Sequence, residues 1–174
     1  MRIEISNGIA LQSGTFNAVI APEHVIIKAL NSNADLQRFL FLFVCGNYSR
    51  ILSSINRTST NFEVRRAFTA HQLFTILKEA GHTIVFVEHD PTMFDGAEAM
   101  ILPVAGALRD VGREALLILY TPAIDRPFSA LVRSADRIFH SAPSVDPACH
   151  RHRSARSLRS GCPLPPAQRT LEVS

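Results

Sequence analysis

At 174 residues, 47% of them hydrophobic and only 19% charged, the chain is long enough to bury one substantial core, and its composition excludes wholesale disorder. The net charge of +3 is unevenly placed: residues 1–140 hold 13 Lys/Arg and 13 Asp/Glu, whereas beyond them Arg151, Arg153, Arg156, Arg159 and Arg169 face only Asp146 and Glu172. The body is neutral, which excludes the overall charge as evidence that the folded part binds nucleic acid.

In chain order, 2–6 and 17–21 read as strands, and a helix entered at Pro22 runs through Val25, Ile26, Lys28 and Leu30, proline suiting the first helical position. Phe39 to Cys45 is an unbroken apolar run, expected to be a strand buried on both faces at the sheet centre. Residues 46–61 are polar and predict a loop with one short helix, before a strand over 62–67. Thr69 with Gln72 three residues on forms a capping-box pattern, Gly81 closes that helix, and Leu73, Ile76, Leu77 and Ala80 give it one apolar face. A strand over 83–87 ends on Glu88-His89-Asp90, and the helical region 94–114 that follows contains Pro103, which predicts a kink or split. Residues 115–120 read as a strand, Asp125 caps a helix through Arg133, and 137–140 is a last short strand. Strands alternating with helices predict βαβ units: a three-layer, mostly parallel, doubly wound α/β sheet over residues 1–141.

Beyond Ser141 the pattern stops, and prolines with scattered Arg and Ser predict a disordered basic tail over 142–174. Cys45, Cys149 and Cys162 form no disulfide framework. Glu4 stands where a leader would be basic then apolar, and no apolar run approaches the ~20 residues that span a bilayer, so a cytoplasmic protein without membrane contact is expected. Cys149, His150, His152 and Cys162 are zinc-ligand types without a zinc-finger spacing, and the tail arginines allow at most weak, salt-dependent nucleic-acid contact.

Open α/β sheets bind ligands at the carboxyl edge of their strands. Three strand ends carry polar residues there: Glu88-His89-Asp90, Tyr120-Thr121-Pro122 and Ala21-Pro22-Glu23, expected to line one crevice. Glu88, His89 and Asp90 are the candidate catalytic residues. The alternative is that they solvate and cap the strand-to-helix turn. His71 and His82 read as surface or packing residues, and Arg65-Arg66 as partners of local acids or solvent-facing residues. No Gly-x-Ser-x-Gly elbow supports acyl transfer.

The order of elements, with 66–73 (Arg-Ala-Phe-Thr-Ala-His-Gln-Leu) opening a helix, the acid-ended strand 83–90 and Ala135-Asp136-Arg137-Ile138 at the final strand, resembles the RecA/RadA recombinase core across about residues 17–140. The resemblance implies that Glu88 or Asp90 stands at the magnesium-side acid and Thr121 near the polar sensor. The chain departs from that family where a phosphate loop is needed, because no Gly-Lys pair occurs anywhere. Pro22 instead removes an amide donor and Glu23 puts a negative charge where a phosphate would sit.

No nucleotide-binding residues, metal site or cofactor is therefore expected. The expectation is a degenerate, non-hydrolysing RecA/RadA-like protein acting as a protein partner or regulator in DNA recombination or repair. The alternative is a metal-assisted enzyme acting on a small phosphorylated or nucleotide-like substrate through Glu88, His89, Asp90 and Asp95. A weak nucleic-acid binder working through the tail arginines is a third reading.

Overall fold

The computed structural model describes residues 2–6, 9–33, 36 and 38–141, with side chains from residue 10 onward; residues 142–174, where the tail and the Cys149–Cys162 cluster fall, lie outside the described residues. Six strands form one parallel sheet: β3 (Thr15–Ile20), β4 (Phe41–Cys45), β5 (Phe62–Arg66), β6 (Ile84–Glu88), β7 (Leu116–Thr121) and β8 (Arg137–His140), in the spatial order β5-β4-β6-β7-β3-β8. Helix α1 (Glu23–Ser32) covers one face, and α2 (Ala70–Lys78), α3 (Ile101–Glu114) and α4 (Arg126–Leu131) cover the other, completing three layers.

The central strands are apolar on both sides because each residue alternates between two cores. Val85 and Val87 of β6, with Leu117 and Leu119 of β7, pack under α2, α3 and α4, while Ile84, Phe86, Leu116, Ile118 and Tyr120 pack under α1. On the α1 side the rings of Phe41 and Phe62 stack at 4.8 Å between centroids, and those of Phe43 and Phe86 at 5.1 Å, tying the strands together across the sheet. On the opposite side Gly112 lets α3 approach β3 closely, for a Cβ there would stand 2.8 Å from that of Phe16.

Several details differ from the sequence expectation. Strand β1 (Arg2–Ser6) does not join the main sheet; it pairs antiparallel with β2 (Ile9–Gln12), a strand too short to stand out from its neighbours. The β4 run lies next to the edge, and β6 and β7 hold the centre, because a strand buried on both faces need only be an interior strand. Pro22 is the residue before α1 rather than its first member. Pro103 neither kinks nor splits α3, since it falls in the first turn, where its missing N–H has no partner to lose; short 3₁₀ turns over Pro91–Phe94 and Glu98–Met100 precede that helix.

The capping pattern at α2 holds with a shifted partner: Thr69 Oγ1 accepts from Gln72 N, and the Gln72 side chain accepts from Phe68 N. Gly81 lies past the cap residue Glu79 and takes no part in closing the helix. Among the described residues no helix is long and apolar enough to cross a membrane.

Candidate functional site

All six strands of the main sheet point the same way, so their carboxyl ends share one edge, and there a cleft of about 600 Å³ opens between the segments that follow β4, β6 and β7. Gly46 to Tyr48 and Arg50 line it from β4, 88–92 from β6, and 121–125 from β7. Glu88, His89, Asp90 and Thr121 therefore meet in one place. The third expected segment, 21–23, is not part of the wall; the loop after β4 takes its place.

The four residues have different tasks. Glu88 is buried; its carboxylate accepts a hydrogen bond from Ser49 Oγ and another from Arg50 N at 2.8 Å, which fastens the β4 loop to the sheet. Burial pushes the Glu88 carboxyl above its usual range, and those two hydrogen bonds oppose the shift. Asp90 caps the turn Pro91–Phe94, Oδ1 accepting from Thr92 N at 3.0 Å and Thr92 Oγ1 at 2.7 Å. It also packs so tightly on Gly46 that any Cβ there would collide with its carboxylate. Thr121 is buried and donates its hydroxyl proton to the Ala123 carbonyl at 2.6 Å, shaping the turn after β7. Asp95 is exposed and outside the cleft wall.

His89 makes a pair that the sequence did not reveal. Its side chain is only 2% exposed, and Nε2 lies 2.7 Å from Asp125 Oδ2, while Asp125 Oδ1 accepts from Phe128 N at 2.8 Å as the α4 cap. Burial holds the imidazole pKa below its ordinary value against the opposing pull of Asp125, which favours the neutral ring. A carboxylate only accepts, so the neutral ring must carry its proton on Nε2, leaving a lone pair on Nδ1. No residue among those described bonds Nδ1. The rings of Phe94 and Phe128, 6.1 and 5.3 Å away between centroids, fix the imidazole plane.

Asp125 is legible in the sequence as a cap and is one; its second oxygen, aimed at a histidine 36 residues away, has no local signal. Ser49 and Arg50 were likewise hidden in a stretch readable only as a polar loop with one short helix. Tyr120 is fully buried on the α1 side with no partner for its hydroxyl among the described residues, and burial raises its pKa. Arg65 pairs with Glu63 and Glu79, as expected of it, and His82 with Glu63. Asp136, in the last stretch of the family resemblance, accepts from Phe16 N at 2.8 Å and so anchors β8 to β3. Among the described residues no three His, Cys, Asp or Glu side chains converge to hold a metal ion.

No family model matches the chain. Over 125 residues it is 41% identical to an uncharacterized protein of Archaeoglobus fulgidus, a stretch that covers 71% of this chain and 63% of that relative. The chain thus spans less than two thirds of the relative's length.

Proposed function

We propose that this chain is a non-hydrolysing, RecA/RadA-like protein that acts as a partner or regulator of a recombination or repair ATPase. The observation that carries this reading is the join between β3 and α1. Strand becomes helix within two residues, Ala21 and Pro22, and the Pro22 carbonyl accepts from the amides of Val25 (3.0 Å) and Ile26 (3.4 Å). Pro22 has no amide of its own, and Glu23 brings a carboxylate to the first turn, where it already complements the helix dipole and meets Arg50 at 3.5 Å. Few donors remain to cradle a phosphate, and a like charge stands beside them. Glu88, the acid that a magnesium ion would need nearby, has both carboxylate oxygens engaged by the β4 loop.

Thermal unfolding of the full chain with ATP, ADP and GTP, with and without magnesium, tests this. No shift is expected. A ligand at about 100 times its Kd contributes about 2.7 kcal/mol, or roughly 5–10 °C in a domain of this size, so a magnesium- and ATP-dependent rise on that scale would overturn the proposal.

A second reading, an enzyme for a small phosphorylated or nucleotide-like substrate, has the His89–Asp125 pair in its favour as a base held in a cleft. With Asp95 outside the wall, it depends on His89, Glu88 and Asp90. If Glu88→Gln and Asp90→Asn leave every screened hydrolase and transferase activity unchanged, it is lost.

A further inference from the structure

We infer that the cleft is a docking site for a basic side chain, arginine or lysine, carried on a segment of a protein partner; this rests on the partner reading above and specifies how the partner is gripped. The first support is charge. Among the described residues the wall carries the carboxylates of Glu88, Asp90 and Asp125 against one cation, Arg50, which itself lies against Glu23. Complementary charge favours a cationic visitor and repels phosphate or an acidic peptide.

The second support is independent and lies in the hydrogen-bond inventory. The buried His89 lines the cleft with Nδ1 unbonded among the described residues, and with Nε2 held by the Asp125 carboxylate the neutral ring has Nδ1 as its acceptor. Asp90 binds both Thr92 donors through Oδ1, which leaves Oδ2 with no hydrogen bond among the described residues. Thr121 has spent its proton on Ala123. His89 Nδ1 and Asp90 Oδ2 are thus two unbonded acceptors among the lining residues, which suit a guanidinium or ammonium, groups that only donate.

The rim suits the rest of such a residue. Tyr48 is 84% exposed and Ile124 57% exposed at the mouth, an aromatic face and an aliphatic one against which a long methylene stem can lie. Clefts that bury a drug-sized ligand measure roughly 300–1,000 Å³, so about 600 Å³ accommodates one long side chain with its flanking backbone.

The test uses the full chain, 15N-labelled, titrated with a capped alanine pentapeptide carrying one central arginine. Its companions are the same peptide with lysine, with the neutral isostere citrulline or with glutamate, and free arginine amide. Saturable shifts of the His89 ring nitrogens and of the Gly46 and Ile124 amides are expected with arginine and lysine, with citrulline and glutamate at least tenfold weaker. Asp90→Asn, which keeps a capping oxygen but removes the charge, should weaken binding about tenfold. Equal binding of the arginine and citrulline peptides, or no saturable shift with either basic peptide at about 10 mM, would overturn the inference. Free arginine amide binding as tightly as the peptide would overturn the choice of a protein segment as occupant. A rise in melting temperature with magnesium and ATP strikes the parent proposal alone, whereas silent peptides strike only this one.

Discussion

Replacing Gly46 by alanine drives a methyl group into the Asp90 carboxylate. Gly46 follows β4 and faces the end of β6 so closely that an added Cβ would overlap Oδ2 and stand 2.9 Å from both Cβ and Cγ of Asp90. The side chain cannot swing aside freely, because Oδ1 holds the turn that delivers Met93 and Phe94 to the core. Overpacking costs about 1–3 kcal/mol and a lost cap about 0.5–2 kcal/mol, so Gly46→Ala should destabilise by roughly 2–4 kcal/mol. In an Asp90→Ala background the cap is already gone and so is the obstacle. There Gly46→Ala should cost under about 0.5 kcal/mol, giving a coupling energy of at least about 1.5 kcal/mol. Urea unfolding of the four proteins measures this through the midpoints, provided that m is constant across the set. If the two costs add within about 0.5 kcal/mol, contact between these residues is not what restricts the position.

Three further outcomes are expected. Tyr120→Phe removes a buried hydroxyl without a partner, so it should be neutral or stabilising by up to about 1–2 kcal/mol; a clear fall in urea midpoint would mean that the hydroxyl has a partner, such as a bound water. His89 has a folded pKa below its unfolded value of 6.5, so its contribution to stability is complete above pH 6.5 and is lost as pH falls through 6.5 towards the folded value, whereas the raised Glu88 works in the opposite sense. Subtracting the stability–pH curve of His89→Gln from that of the parent should therefore leave a decline below pH 6.5, and a flat difference would refute the buried neutral imidazole. Asp125→Asn keeps an α4 capping oxygen while Asp125→Ala does not, so the alanine protein should be less stable than the asparagine protein by about 1 kcal/mol in thermal unfolding.

The sheet was legible because its strands are strongly apolar and punctuated. Ile84–Glu88 and Leu116–Thr121 leave no other reading, and Asp125 followed by Pro127 announces a helix start. What stayed hidden depends on tertiary placement. Which interior strand is central follows from crossovers, which the period of a single strand does not encode, so Phe41–Cys45 could be seen as buried but not as second from the edge. The acid cluster was visible at 88–90, yet the partners that decide its chemistry, Ser49, Arg50 and Asp125, lie 36 to 39 residues away.

The pleat explains why adjacent residues take opposite roles. Along β6 the side chains alternate between the two faces, so Glu88 continues the row of Ile84 and Phe86 towards α1, and His89 falls in with Phe94 and Phe128 beside α4. On the α1 side the acid is used to hold the β4 loop in place, next to a helix start that has no phosphate loop before it. On the α4 side the imidazole is oriented by Asp125 and left with one open nitrogen. Loss of the open histidine nitrogen should therefore act mainly on binding, and loss of the Glu88 hydrogen bonds mainly on stability, with only the charge of Glu88 felt at the cleft. His89→Gln should lower affinity for the arginine peptide with only a modest change in melting temperature at pH 7. Glu88→Gln, which replaces a charged acceptor of two hydrogen bonds by a neutral one, should shift stability and leave the His89 ring environment unchanged. The reverse pattern, binding lost with Glu88→Gln and retained with His89→Gln, would move the site to the α1 side and return Glu23, Arg50 and Tyr120 to contention.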